Sequence, residues 1–349
     1  MIISRTPFRI TLGGGGTDLP SFYERHGGFV LTMAIDKYIY LNLKPSSLDT
    51  KVRLQYLTPE IVDDCSQLKH SRAREALKLH NLRNSIEVNS IADLPASSGL
   101  GSSGSYLVGL LHAIRYHYKK DCHPSKLAEE ACDIEINKLN EPVGKQDQYI
   151  SAYGGVRVLD IDKLGKVKVV SPSVDIDTMN QLLANMHIYY TGVLRNASEI
   201  LEEQNKIPVD VESSLFQIKE MGYKFLEHLE KRNLDDFGLL LDEHWQYKKR
   251  LSNKVSLPQI DSLYEEVKKR FGVLGGKIIG AGGGGFVMLY APKNHAQLKK
   301  YMEEAGLPRL NYGLDYQGSR IVADLRSDSN FYVKHSATDN ATNLWEHYL

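Results

Sequence analysis

From Leu94 to Leu111 the chain reads LPASSGLGSSGSYLVGLL, and eight of the nine residues from Ala96 to Gly104 are small. Such a stretch forms a loop with almost nothing to bury, opening into the apolar residues of a helix expected over Ser102–His117. The first turn of a helix leaves backbone N–H groups unpaired and carries partial positive charge. Glycine and serine let an anion come close to both. The stretch therefore reads as an anion site, for a dinucleotide's pyrophosphate or the phosphates of a nucleoside triphosphate, unless its glycines serve only a tight turn.

Context separates these readings. Gly99, Gly101 and Gly104 satisfy G-x-G-x-x-G, but a dinucleotide fingerprint needs a strand running directly into its first glycine. Here the expected strand ends near Ser90 and Pro95 intervenes, while Asp121, placed where a ribose-binding acid would stand, follows a helix. An NAD-linked oxidoreductase is left with the glycines alone. A nucleoside triphosphate such as ATP fits better. Its phosphates would lie along Gly99, Leu100, Gly101, Ser102 and Ser103, flanked by Pro95, Ser97, Ser98 and Gly104, with Ser102 or Ser103 offering a hydroxyl to Mg²⁺. No G-x-x-x-x-G-K-[ST] occurs, and Asp236-Phe237-Gly238 has no H-R-D before it and falls in an amphipathic helical pattern.

Two further glycine clusters follow the same logic. FRITLGGGGTDLP sets four glycines after a strand, each costly to order, so something must need backbone at close quarters. Gly14, Gly15 and Gly16 with Thr17 and Asp18 are suited to a polyol, Asp18 accepting from hydroxyls. GAGGGG at 280–285, between two apolar strands, adds Gly283 and Gly284 as candidates on the same argument.

At 349 residues the chain exceeds one typical core, so two domains are expected. Basic and acidic residues balance at 43 each, which leaves no global field for nucleic acid or an anionic membrane. No stretch approaches the roughly 18 apolar residues of a membrane span. MIISRTPFRITL lacks an apolar signal core. Cys65, Cys122 and Cys132 form no C-x-x-C pair and fit a reducing compartment, so a cytoplasmic location is expected. The histidines show no metal-binding spacing, and the sequons at Asn196 and Asn340 read as accidents of composition.

Apolar periodicity predicts strands at Ile2–Ser4, Arg9–Leu12, Gly28–Ala34, Tyr38–Leu43, Val52–Tyr56 and Ser85–Ser90, and helices at Leu68–Leu79, Ser102–His117 and Pro124–Leu139. A hairpin turns around Lys163–Gly165. A strand at His187–Thr191 opens a second domain with helices near Ala197–Gln204, Val211–Lys231, Leu234–Lys249 and Gln259–Phe271, closed by a glycine hairpin and SRIVADLR. Without strict β-α-β alternation the class is α+β. The expected divisions are 1–182, 183–326 and a polar tail, 327–349, that would be a docking tail, a homodimer contact or a disordered extension.

In this order, RTPFRITLGGGGTDLP, LPASSGLGSSGS and KIIGAGGGGFVMLY resemble the three motifs of the GHMP small-molecule kinase superfamily. LGGGGTDLPSFYERHGG, EPVGKQDQYISAYGG and WQYKKRLSNKVS look most like its D-glycero-D-manno-heptose 7-phosphate kinases. The resemblance implies an N-terminal α+β domain and a C-terminal ferredoxin-like domain with ATP and acceptor between them. It implies that Asp147 serves the acceptor hydroxyl as base or electrostatic partner, that Arg9 is the cation beside it, and that Glu135 pairs with Ser103 across Mg²⁺. Glu129 and Glu130 on the same helix are the alternatives for the metal. Lys145, two positions before Asp147, would lower that carboxylate's pKa if the two approach. The acceptor implied is the heptose 7-phosphate, phosphorylated at its anomeric hydroxyl; a plain hexose such as fucose or galactose, or a regulator that has lost catalysis, are the competing readings. A phosphorylated acceptor needs an inward cationic cluster opposite Asp147. Candidates are Lys69, Arg72, Arg74 and Lys78, then Lys248, Lys249, Arg250 and Lys254, and Arg195. Arg72 and Arg74 stand about 200° apart on a helix and cannot line one pocket together.

Overall fold

The computed structural model describes residues 1–46, 48–193, 200–201 and 209–326. Two long strands, β1 (Ile2–Gly13) and β2 (Gly28–Pro45), organise the first unit. Each was expected as two strands. A register shift between Pro7 and Phe8, with Asp36 and Lys37 as the extra residues opposite, lets both run on past a proline that gives the ladder no N–H.

The remaining strands are β3 (Val52–Gln55), β4 (Glu60–Val62), β5 (Ile86–Ala92), β6 (Val156–Ile161), β7 (Val167–Val170), β8 (Met186–Tyr190), β9 (Gly275–Ile278), β10 (Phe286–Tyr290) and β11 (Arg320–Asp324). Among the described residues they form an eight-stranded sheet ordered β11-β1-β2-β5-β3-β4, with β6 and β7 branching from β2, and a three-stranded sheet ordered β8-β10-β9. The fork arises because β2 pairs with β6 along its first half and with β5 along its second.

Helices α1 (Pro20–His26), α2 (Ser71–Leu79), α3 (Ser102–His117), α4 (Pro124–Cys132) and α5 (Gln146–Tyr153) belong to the first unit, and α6 (Ile176–Asn185) packs on β8 of the small sheet. α3 lies on β1 and β2 with α5 and α4 beside it, and its residues from Gly104 to Ile114 are buried. The expected helix Pro124–Leu139 is α4 plus a π-helical continuation, Asp133–Lys138. α6, which periodicity had missed, starts on an Asp175 cap that accepts from the N–H groups of Asp177 and Thr178.

The second unit packs α7 (Val209–Glu230), α8 (Leu234–Lys249), α9 (Pro258–Phe271) and α10 (His295–Glu304) around the small sheet. α7 also lies against β1 and β2, so one helix touches both units. Against the four strands of a ferredoxin-like sheet, Arg309 forms only a single bridge to Tyr189. One expectation is corrected. SRIVADLR does not close the second unit: β11 pairs antiparallel with β1 and adds an edge to the first sheet. The chain therefore crosses back, and the second unit is an insertion between β7 and β11 rather than the remainder of the chain. Arg195, the helix expected at 197–204, both sequons and the 327–349 tail lie outside the described residues, apart from Ile200 and Leu201.

Candidate active site

Arg9 sits in the middle of β1 and holds the phosphate loop by main chain and side chain. Its N–H donates to the Leu100 carbonyl at 3.0 Å and its Nη1 to the Gly99 carbonyl at 2.6 Å. Its Nε donates to Asp147 Oδ1 at 2.7 Å, an ion pair with side-chain exposures of 5% and 23%. Asp147 lies in the first turn of α5, where a carboxylate suits the helix dipole.

The loop's glycines answer to this pair. A Cβ on Gly104 would lie 2.7 Å from the Asp147 Cβ, and one on Gly101 3.0 Å from Arg9 Cγ. Gly101, the residue before α3, also has φ +82, which disfavours any side chain. The glycines thus let the start of α3 approach the Arg9–Asp147 pair, a purpose separate from admitting phosphate.

On one side of the loop a cavity of about 770 Å³ is lined by Pro95, Ser97, Ser102 and Ser103 together with Tyr56, His70, Arg72 and Tyr106. The His70 ring meets Tyr56 edge-on at 4.6 Å and lies tilted against Tyr106 at 4.8 Å. Burial, and then the Arg72 charge, hold its pKa below the ordinary value, so this wall is neutral and aromatic at pH 7. Sequence reasoning missed Tyr56, His70 and Tyr106 because they come from three separate segments. Ser98, Gly99, Leu100, Gly101 and Gly104 do not line this cavity. Ser98 and Leu100 are fully buried and anchor the loop.

On the other side a cavity of about 80 Å³ is shared by Arg9, Asp147, Gly15, Gly16, Asp18 and Gln146 from the first unit and by His244, Lys248, Lys277, Gly280 and Ala281 from the second. Asp18 is already saturated, accepting from Gly16 N at 3.0 Å, Gln146 N at 3.1 Å and Gln146 Nε2 at 3.3 Å. Burial raises its pKa, partly offset by the Gln146 N–H.

Several expected contacts need correction. Thr17 is spent on the backbone, its single O–H shared between the Gly14 and Phe29 carbonyls and its oxygen accepting from Phe29 N–H. Gly14 packs on Phe29, whose carbonyl would lie 1.9 Å from an added Cβ. Gly283 donates its N–H to Val255 O, and Gly284 packs against Val193. None of these four lines the cavity, and Gly280 and Ala281 stand there in place of Gly283 and Gly284. Lys145 turns away from Asp147 and donates to Gly165 O at 2.6 Å, with Glu129 at 3.5 Å. In the helical turn that α5 begins, two residues on do not share a face.

The carboxylates proposed for a metal are also engaged. Glu135 is wholly buried, one oxygen accepting from Arg72 Nε at 2.7 Å and the other from Gln148 Nε2 at 2.5 Å. Glu129 is bonded by Tyr149 and Glu130 by Arg115. No cluster of three acidic, histidine or cysteine side chains able to hold a metal occurs among the described residues. In this arrangement Glu135 does not fit a magnesium ligand, whereas Ser102 and Ser103 line the nucleotide-sized cavity. Of the basic runs, Arg72 reaches that cavity through its pair with Glu135, Arg74 bonds Glu75 and the Leu68 carbonyl, and Lys249 pairs with Asp261.

Lys248 alone of its run turns inward, and Lys277 joins it from β9. Lys248 Nζ donates to the carbonyls of Ile278 at 2.7 Å and Gly280 at 2.6 Å; Lys277 Nζ donates to Leu12 O at 2.7 Å. Neither has a carboxylate within 4.0 Å among the described residues. Burial pushes the Lys248 pKa down to about 7, with the Arg9 charge adding to it, and holds that of Lys277 well below the lysine range. Both ring nitrogens of the buried His244 lack a partner among the described residues. Sequence reasoning placed Lys248 among four alternatives and passed over Lys277, although it opens the quoted KIIGAGGGG.

Residues 69–155 match the family model described as GHMP kinases N terminal domain, and residues 225–306 that described as GHMP kinases C terminal. The D-glycero-alpha-D-manno-heptose 7-phosphate kinase of Campylobacter jejuni is 28% identical over 87% of this chain and 94% of its own length. A galactokinase of Pyrococcus furiosus is 24% identical over 85% and 90%. Among solved structures, a D-glycero-D-manno-heptose 1-phosphate kinase from Bacteroides thetaiotaomicron aligns with a TM-score of 0.75 over 93% of this chain and 100% of that one, at 20% identity.

Proposed function

The chain belongs to the GHMP kinases, ATP-dependent phosphotransferases, and is a sugar kinase of that family; we propose that its acceptor is D-glycero-D-manno-heptose 7-phosphate, converted at the anomeric hydroxyl to the 1,7-bisphosphate. One observation carries the reading of a phosphorylated acceptor. Beside Lys248, the cavity next to Asp147 holds the buried Lys277, which has no carboxylate partner among the described residues and which a bound anion would hold in its charged form, so an acceptor with its own phosphate suits this cavity better than a neutral hexose. The similarity to the Campylobacter enzyme supports the same sugar.

In this reading ATP lies along the aromatic wall with its phosphates at the start of α3, and the sugar enters the smaller cavity. The anomeric oxygen forms a bond to the terminal phosphorus as the bond to the ADP oxygen breaks, and its proton passes toward Asp147. Arg9 holds that carboxylate in place through its 2.7 Å ion pair and stabilises charge rather than exchanging protons. Mg²⁺ arriving with ATP would neutralise the phosphates and meet the Ser102 and Ser103 hydroxyls. ATP and a sugar phosphate as substrates suit a cytoplasmic setting.

Phosphorus NMR of ATP, Mg²⁺ and a sugar panel tests the proposal. It is supported by a new anomeric phosphate signal with the heptose 7-phosphate alone. Turnover of fucose or galactose instead would replace the acceptor. Asp147→Asn should lose about 10²- to 10⁴-fold in kcat while still binding ATP; equal silence of the wild type would favour the regulator.

A further inference from the structure

The seam between the two units runs through the phosphate loop. A Cβ on Gly280 would meet the Gly99 carbonyl at 2.4 Å, and one on Gly99 would meet the Ile279 carbonyl at 2.8 Å. The same Gly99 carbonyl accepts from Arg9, which holds Asp147. Directly behind Gly280 is Lys248, anchored by the Ile278 and Gly280 carbonyls. An unbroken chain of contacts therefore links Lys248 to Asp147 across the loop that would carry the nucleotide's phosphates.

An ammonium has three N–H donors, and these carbonyls take two. The third is uncommitted, and Lys248 lines the cavity that also holds Arg9 and Asp147. The geometry points to Lys248 as a catalytic residue, its third N–H donating to an equatorial oxygen of the phosphoryl group in flight, opposite Arg9. The second unit then completes the reacting centre by packing its glycine hairpin on the loop, and the two cations approach from opposite sides of the seam. Burial costs Lys248 its hydration and lowers its pKa in the empty site; a phosphoryl group arriving with negative charge favours the protonated form again, and the low-dielectric setting makes the attraction between the two strong. This rests on the kinase reading above but not on which sugar accepts.

Lys248→Met and Lys248→Arg in the full chain test it, with two readouts. Steady-state kinetics should show kcat reduced about 10²- to 10³-fold in Lys248→Met, acceptor and ATP KM within about threefold, and at least tenfold recovery in Lys248→Arg. Independently of any acceptor, affinity for ADP with aluminium fluoride, a mimic of the transferring phosphoryl, should fall at least 30-fold in Lys248→Met while affinity for ADP alone is kept. A raised KM for the sugar phosphate with kcat intact would assign Lys248 to the acceptor's own phosphate and overturn the proposal. So would unchanged aluminium fluoride binding. If the heptose phosphate proves not to be a substrate, the acceptor reading fails while the aluminium fluoride readout still decides the role of Lys248. Should Lys248→Met not fold, Lys248→Gln carries both readouts.

Discussion

Lys248 shows how one buried residue serves a site at the expense of the fold. A lysine whose pKa falls to about 7 gives up its proton in the folded chain well below the pH at which the unfolded chain does. Between pH 7 and 10 the unfolded state therefore binds more protons, and stability rises with pH. We expect the melting temperature of the wild type to rise from pH 7 to pH 9. Lys248→Met should flatten that slope and raise the stability at pH 7. Thermal melts of both proteins across that range check it; identical slopes would mean the ammonium keeps its proton when folded. Lys277 shifts in the same direction, so some slope should survive in Lys248→Met. Residue types were legible in the sequence where a motif enclosed them, as at Arg9, Asp147 and the loop serines. The direction of a side chain was not. Lys145 and Lys248 are both lysines near a motif, and packing alone turned one toward Gly165 and the other into the site.

Among elements, α3 and α8 match the spans expected from periodicity, because long helices with small or apolar faces carry their own signal. α5 carries little. Its eight residues, QDQYISAY, span barely two turns, so it emerges only through contact with α3 and α4. The π-helical turn after α4 was equally hidden, and it seats Glu135 in the interior against Arg72 and Gln148. The α3–α5 contact has a sharp test. Gly104→Ala would bring a methyl within 2.7 Å of Asp147 Cβ and must push α5 away from Arg9. The expected cost is about 1 to 3 kcal/mol of stability and at least a tenfold loss of kcat, since misplacing a reacting group by an ångström is enough for that. Melting and steady-state rates measured together check it. A stability loss with kcat intact would show that the pair tolerates the shift.

Over the whole molecule, the glycine hairpin of the second unit closes on the phosphate loop of the first. Gly280 has φ +74 and no room for a side chain against Gly99, so Gly280→Ala should hold the units apart. We expect kcat to fall more than tenfold and the melting temperature to drop by several degrees, as a loss of about 1 to 3 kcal/mol implies. A variant that loses stability but not rate would place the reacting centre wholly within the first unit.

By itself the sequence pointed to the family, through three glycine clusters in order, and to a phosphate loop at the mouth of α3, while the Arg9–Asp147 pair, 138 positions apart, came only through the family resemblance. The clusters and the loop are local properties: a glycine where a side chain cannot fit, and a helix where the apolar period runs. Tertiary structure alone decided that β11 returns to pair with β1, that Glu135 is closed by Arg72, and that Lys248 and Lys277 face Asp147 from the other unit. Each of these joins residues 60 or more positions apart, and nothing in a local pattern specifies which distant partner a strand edge or buried charge will meet; that is set by which surfaces exclude water together.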